Sequence, residues 1–429
     1  MSVIAKLRQI WKITELRNSI FFVLGLLVIF RIAAHIPVPG INNEALQQFF
    51  SSNQLLGLVN IFSGGGLENF SIVAMGVAPY ITASIIFQLL TMIVPKLEEI
   101  SKDGEAGRQK INQWTRYLTI PLAFLQGYGL VALLRQSQGG IISDLSIWKL
   151  MVTLITVTAG TIFLMWIGEI ISEKNIGNGI SIMIFVGIVA SLPQALQQTL
   201  LTYTTSDPGV LLDIVIFALI ALVTIVGVVI ITEGQRNIPI SYARQVRGSS
   251  SYGSVNTHLP LRVNQAGVIP IIFAISFVLF PPVVAQFFAN ARTAWVADAA
   301  NFVADIFQNQ LFYGILYFLL VFGFTYFYTE VIFKPDQIAE NLQKQGAFIP
   351  GIRPGKPTEE YLNYVSNRIV LFGALFLGAI AVLPLAVQQF TGIGSLTIGG
   401  TSLLIVVSVV IEIVDKVKSQ LTMRDYEAY

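Results

Sequence analysis

Roughly 18 to 24 residues pass at a time with almost no charge, repeatedly along this chain, and each such run can cross a hydrocarbon core about 30 Å thick as a helix. Backbone polar groups in lipid must satisfy one another, so a chain built of such runs is held to a bundle of membrane-crossing helices. Ten runs are marked off, at 20–37, 73–94, 117–134, 149–171, 180–200, 209–232, 266–288, 311–333, 367–389 and 396–414. Charged residues make up only 12% of the chain, about half the share in an average soluble domain. The expected fold is therefore an all-α polytopic membrane protein of ten transmembrane helices.

Short cytoplasmic loops retain Lys and Arg while exported loops lose them. The N-terminal segment and the loops after the even-numbered runs hold 22 of the 26 basic residues. Arg135, Lys149 and Arg292 lie on the other side, and Arg31 sits near the outer end of the first run, where it is expected to snorkel to the headgroups. Both termini are thus expected in the cytoplasm. No small-residue cleavage site follows Phe30, so the first run is expected to stay in the protein.

Several function classes fall away. There are no cysteines, and the two histidines, His35 and His258, lie in loops on opposite sides, which excludes a metal site or His-based triad within the runs. An ion-coupled transporter needs ionisable groups near mid-bilayer, whereas Glu169, Glu233, Glu330, Glu412 and Asp415 fall at cytoplasmic ends and Asp213 near an outer one. No pair of intramembrane acids suits proteolysis. The SGGGLE stretch lacks the Lys of a phosphate-binding loop and the spacing of a dinucleotide turn. No enzyme and no cofactor is expected. The remaining alternative from another class is an inverted-repeat secondary transporter of a small solute.

Five runs plus five is the natural division, and the second run of each half opens alike. One reads Gly76-Val77-Ala78-Pro79-Tyr80-Ile81, the other Gly267-Val268-Ile269-Pro270-Ile271-Ile272. An odd number of runs per half makes the copies antiparallel in the membrane, with a seam between them. Expected boundaries are a cytoplasmic N-terminal segment 1–19, a first half 20–200, a second half 201–414 and a cytoplasmic tail 415–429.

With FRIAAHIPVPGI (30–41), NIFSGGGLENFSI (60–72), PYITASIIFQLL (79–90), GEAGRQKINQWTRY (104–117), IGNGISIMIF (176–185), THLPLRVNQAGVIP (257–270), NLQKQGAFIPGIRPGKPT (341–358) and GGTSLLIVV (399–407) in this order, the chain resembles the SecY family of protein-translocation channels throughout its length. The resemblance implies two inverted five-helix halves around a central hourglass pore in the bacterial plasma membrane. Unfolded secretory polypeptides would pass through it, and apolar segments would leave sideways into lipid. It implies a pore ring of Val77, Ile81, Ile180, Ile184, Ile272 and Ile405. The i, i+4 spacing of Val77/Ile81 and Ile180/Ile184 puts each pair on one helix face. Ile180 opens its run, so it reaches mid-membrane only if that helix starts at the floor of a cytoplasmic vestibule.

The same resemblance makes residues 60–70 (Asn60, Ile61, Phe62, Ser63, Gly64, Gly65, Gly66, Leu67, Glu68, Asn69 and Phe70) a plug in the outer funnel, its apolar side chains packed beneath the ring. Pro79, Gln88 and Pro270 are candidates for a lateral gate between the second and seventh runs. Loops 233–265 and 334–367 would dock a ribosome or the SecA motor through Arg244, Arg247 and Arg353, the last on a tip framed by Gly351, Pro354 and Gly355. SecE and SecG subunits and signal-sequence-bearing polypeptides are the other implied partners. Ser249 and Ser250 depart from paired basic residues common in the family, and the sequence stops at Tyr429 without the family's usual basic tail, which implies either weaker electrostatic docking or a trimmed C-terminus.

Overall fold

A computed structural model describes residues 11, 13–39, 41–42, 45–46, 60, 63–136, 146–203, 209–242, 257–288, 293–391 and 397–427. Each apolar run has a helical counterpart. In the first half these are α1 (Thr14–Ala34), α2 (Ala78–Ile93), α4 (Glu105–Gln136), α5 (Ile147–Glu173) and α6 (Gly179–Tyr203); Pro95–Lys102 forms a short α3. The second half contains α7 (Gly209–Glu233), α8 (Ile269–Phe288), α10 (Gln310–Ile332), α12 (Lys356–Thr391) and α13 (Thr397–Glu427). It also carries two shorter helices, α9 (Ala294–Gln308) and α11 (Pro335–Lys344).

Several helices outrun the apolar stretches that mark them. The 32 residues of α4 and the 36 of α12 extend about 48 and 54 Å at 1.5 Å per residue, so both stand out of a core about 30 Å thick. Good helix formers carry them onward, because the polar segments 105–116 and 356–366 place no breaker beyond the first turns. α9 lies in what the sequence presents as an outer loop. Its apolar positions Val296, Ala300, Val303 and Phe307 follow the helical period, and it packs against α8 and α10.

Between α2 and α3 the axis turns by 102°. Pro95 supplies no amide donor and holds Val94 extended at φ −101, ψ 109. Three strands, β1 (Gln235–Tyr242), β2 (Thr257–Arg262) and β3 (Ala347–Phe348), form a small sheet in the order β2-β1-β3. Both pairings are antiparallel, with Ile238 opposite Leu259 and Tyr242 opposite Ala347. An otherwise helical chain thus joins its two largest basic loops into one body. Ile238, Leu261, Ile349, Leu362 and Val365 form that body's apolar core.

The largest core lies at the centre of the bundle and draws on α1, α2, α5, α6, α7, α8, α10, α12 and α13. Five candidate ring residues, Val77, Ile81, Ile184, Ile272 and Ile405, are buried in it, and Ile180 packs against it.

Candidate pore, gate and plug

The repeated hexapeptide is repeated in backbone geometry as well. Gly76 and Gly267 both adopt left-handed conformations, φ +56 and +65, which glycine occupies without Cβ strain. Each is followed two residues later by the first residue of its helix, Ala78 in α2 and Ile269 in α8. Val77 O accepts from Ile81 N at 3.0 Å, and Val268 O from Ile272 N at 3.3 Å. Ile81 and Ile272 are therefore one position of the repeat, presented twice. Pro79 and Pro270 are both buried within the first turns, where a missing amide donor costs least. The two helices pack directly against each other.

On the side of the basic loops, a cavity of about 820 Å³ opens toward this centre. Its wall is polar, with Gln109, Asn112 and Gln113 on α4 and an ion pair between Arg116 and Glu169 at 2.8 Å. Its apolar lining includes Ile81, Ile180 and Ile272. α6 begins beside the cavity, with Asn178, Ile180 and Ser181 in its lining. Asn178 caps that start, its Oδ1 accepting from Ile180 N at 3.1 Å and Ser181 N at 3.4 Å. Gly179 lets the start press against α5, since a Cβ there would lie 1.9 Å from Gly168 O. Ser172 joins the two helices by donating to Gly168 O and accepting from Gly179 N, both at 2.9 Å. Neither the serine nor the asparagine stands out in the sequence as functional, although the asparagine beside a glycine at a helix start is a readable capping signal.

Opposite the cavity, the glycine-rich stretch is tightly organised. Asn60 Oδ1 accepts from Glu68 N at 3.0 Å while Asn60 Nδ2 donates to Glu68 Oε2 at 3.1 Å. Ser63 Oγ donates to Asn60 O and accepts from Leu67 N. Gly64 and Gly65 are left-handed, φ +68 and +81, and a Cβ on Gly66 would meet Ser71 Oγ at 2.8 Å. Phe70 O and Ile36 O accept from Val38 N and Ile72 N, each at 2.9 Å, tying the stretch to the segment after α1.

Leu67 and Phe70 are not members of the central cluster. They are buried in a second cluster with Val38, Leu46, Ala74, Val131, Leu134, Leu154 and Val157, because the turn directs them to α4 and α5 instead of the centre. Ile61 and Phe62 lie outside the described residues. Arg31 differs from expectation: half-buried, it reaches the stretch and donates to Gly64 O at 2.6 Å. A backbone acceptor nearby outcompetes the longer reach to a headgroup.

A family model described as SecY matches residues 71–414. The chain belongs to the SecY family. It is 44% identical over 432 residues to the protein translocase subunit SecY of Streptomyces coelicolor, covering 98% of each chain. The same subunit of Mycobacterium tuberculosis is 43% identical over 437 residues, at 97% of each. In fold it is similar to a solved protein-conducting channel, with a TM-score of 0.63 at 17% identity and 93% and 91% of the two chains covered. Sec61 in the canine ribosome–channel complex gives 0.59 at 16% identity, covering 92% and 90%. The protein is thus a multi-pass membrane subunit of the SecY translocase family, with two five-helix halves, and not an enzyme.

Two further features of this SecY-family chain bear on its gate and its basic loops. Gln88 of α2 lines the cavity; its Nε2 donates to Ser84 Oγ at 3.1 Å, whereas its buried Oε1 has no partner among the described residues. Arg353 stands exposed between the left-handed Gly351 and Gly355, φ +85 and +94, and its carbonyl accepts from Thr358 Oγ1 at 2.8 Å. Arg244, Arg247, Ser249 and Ser250 lie outside the described residues. Val268 is a central residue that the sequence reading passes over, although the hexapeptide match already pairs it with Val77.

Proposed function

We propose that this channel carries unfolded polypeptide from the basic-side cavity through a ring of Val77, Ile81, Ile180, Ile184, Ile272 and Ile405, with residues 60–70 as the plug beyond it. The observation that carries this reading is the change in lining, from a polar, open cavity to the buried apolar cluster that shares Ile81 and Ile272 with it. A narrow apolar constriction blocks ions by dewetting, and it offers no directional bonds that would select among side chains sliding past. Among the described residues no charged side chain is buried, which suits sequence-tolerant passage and leaves ion-coupled transport without its machinery.

The seam between α2 and α8 is the lateral gate, with Pro79 and Pro270 setting the two helix starts. Gln88 offers its free acceptor to a segment entering there. Moving into lipid is favourable by about 0.3 to 0.6 kcal/mol for each central Leu, Ile, Val or Phe and opposed by about 2.5 to 3.5 for an Asp, Lys or Arg. The basic side faces the cytoplasm of a bacterium, and both termini lie there, as the distribution of Lys and Arg supports. SecE and SecG complete the complex, and the welded body of the basic loops receives SecA or a ribosome through Arg353, Arg244 and Arg247. The segments 1–19, 20–200, 201–414 and 415–429 remain its working divisions.

Inverted vesicles, with the motor and a secretory precursor added outside, test orientation and docking together. The unsubstituted channel should import precursor only when its basic side faces outward. Arg353→Glu reverses one exposed charge far from the central core, so folding and SecE binding should survive while motor-driven import falls about tenfold or more, as a lost close charge contact allows. Import at the unsubstituted rate would remove Arg353 from the docking surface, and import with the basic side inward would invert the topology.

A further inference from the structure

The plug's turn is gripped by two neighbouring side chains of α1. Gly64 is left-handed, and a Cβ there would fall 2.3 Å from Phe30 Cζ, so the Phe30 ring lies flush against bare backbone. Phe30 itself is 2% exposed. The next residue, Arg31, donates from Nη1 to the carbonyl of that same glycine at 2.6 Å. Among the described residues no carboxylate pairs with Arg31. Its guanidinium borders an apolar cavity of about 890 Å³ lined by Leu24, Leu27, Val28 and Ile32 of its own helix and by Val186 of α6.

A guanidinium beside so much apolar surface is costly unless its donors are satisfied. If residues 63–70 moved away, Arg31 would exchange this short bond to a carbonyl for a longer reach to the headgroups past the apolar cavity. The seated position is thereby favoured over the displaced one, and the preference acts on the plug alone, since the central core contains none of the described residues 63–70. We infer that Arg31 is a positioning residue, a charged latch that keeps the plug seated. This rests on the reading of residues 60–70 as the plug.

The test uses the assembled channel carrying one introduced cysteine, Leu67→Cys, whose labelling by a membrane-impermeant thiol reagent from the side opposite the basic loops reports unseating. Arg31→Met removes the charge and keeps an unbranched stem. It is expected to speed labelling about 10- to 100-fold, the factor carried by one charge-assisted hydrogen bond, and to give resting ion conductance. Arg31→Lys keeps charge and donor and should restore most of the seal. Gly64→Ala attacks the same contact from the plug, so the double variant should open no further than the more open single one.

Unchanged labelling with silent channels in Arg31→Met overturns the latch, as does a leak in Arg31→Lys equal to that in Arg31→Met. Should Arg31→Met fail to fold, Arg31→Gln, which removes the charge and keeps a polar side chain, decides by the same labelling, and an unchanged rate overturns the latch. Deleting 61–69 separates the two readings. A leaking deletion beside a silent Arg31→Met sinks the latch alone, whereas silence in both sinks the plug reading beneath it.

Discussion

Channels lacking residues 61–69, with Asn60 joined to Phe70 by short flexible residues, should fold, translocate precursor and conduct ions intermittently at rest. Among the described residues, such a deletion removes the Asn60–Glu68 pair, the Arg31–Gly64 bond and the burial of Leu67. Burying one Leu contributes about 1.5 to 3 kcal/mol, which a bundle with this much core can lose. The central cluster keeps all its described members. Closure would then rest on the aliphatic centre alone, a dewetting barrier that opens whenever the helices around it part. Single-channel recording in planar bilayers, with no partner or precursor present, reads the result. Tight, silent channels would make the stretch an ordinary loop, and loss of folded protein would assign its side chains to the core.

A second large effect is expected from wetting the centre with the plug left in place. Ile81 and Ile272 are 6% and 5% exposed, and the repeated backbone makes them equivalent, so Ile81→Asn and Ile272→Asn should act alike. Each brings an amide that holds water where the native side chain excludes it, lowering the dewetting barrier. Each also costs about 1 to 3 kcal/mol of stability for an unsatisfied buried polar group. Both single variants should raise resting conductance by similar amounts, the double variant should exceed either, and deletion of 61–69 should add to all three. A leak from one position and none from the other would break the equivalence. Insulation unchanged in the double variant would move the barrier elsewhere.

The membrane architecture was legible because lipid leaves a chain few choices: ten apolar runs located ten helices, and GVAPYI with GVIPII located the duplicated starts. Val77, Ile81, Ile184, Ile272 and Ile405, which the resemblance named, all fall within the largest buried cluster. Polar extensions were harder to read. No unbroken apolar run marks residues 105–116 or 356–366, yet α4 and α12 begin there, well before their spans. Pairing of β1 with β3 joins Tyr242 to Ala347 across a long stretch of chain, and register at that range leaves no local trace. The cluster that Leu67 and Phe70 join, and the Gly64 carbonyl that Arg31 meets, leave no trace in the sequence. A glycine-rich turn aims its side chains by φ values that only the folded backbone reveals.

The most direct test of passage through the centre uses the absence of native cysteine. Single cysteines at Ile81, Ile184, Ile272 and Ile405 would be paired with a secretory precursor arrested in transit and carrying one cysteine of its own. Leu319, 56% exposed on α10, serves as the lipid-facing control. The account predicts disulfide crosslinks to the precursor from all four central positions and none from Leu319. Crosslinking from Leu319 with the four central positions unreactive would contradict it.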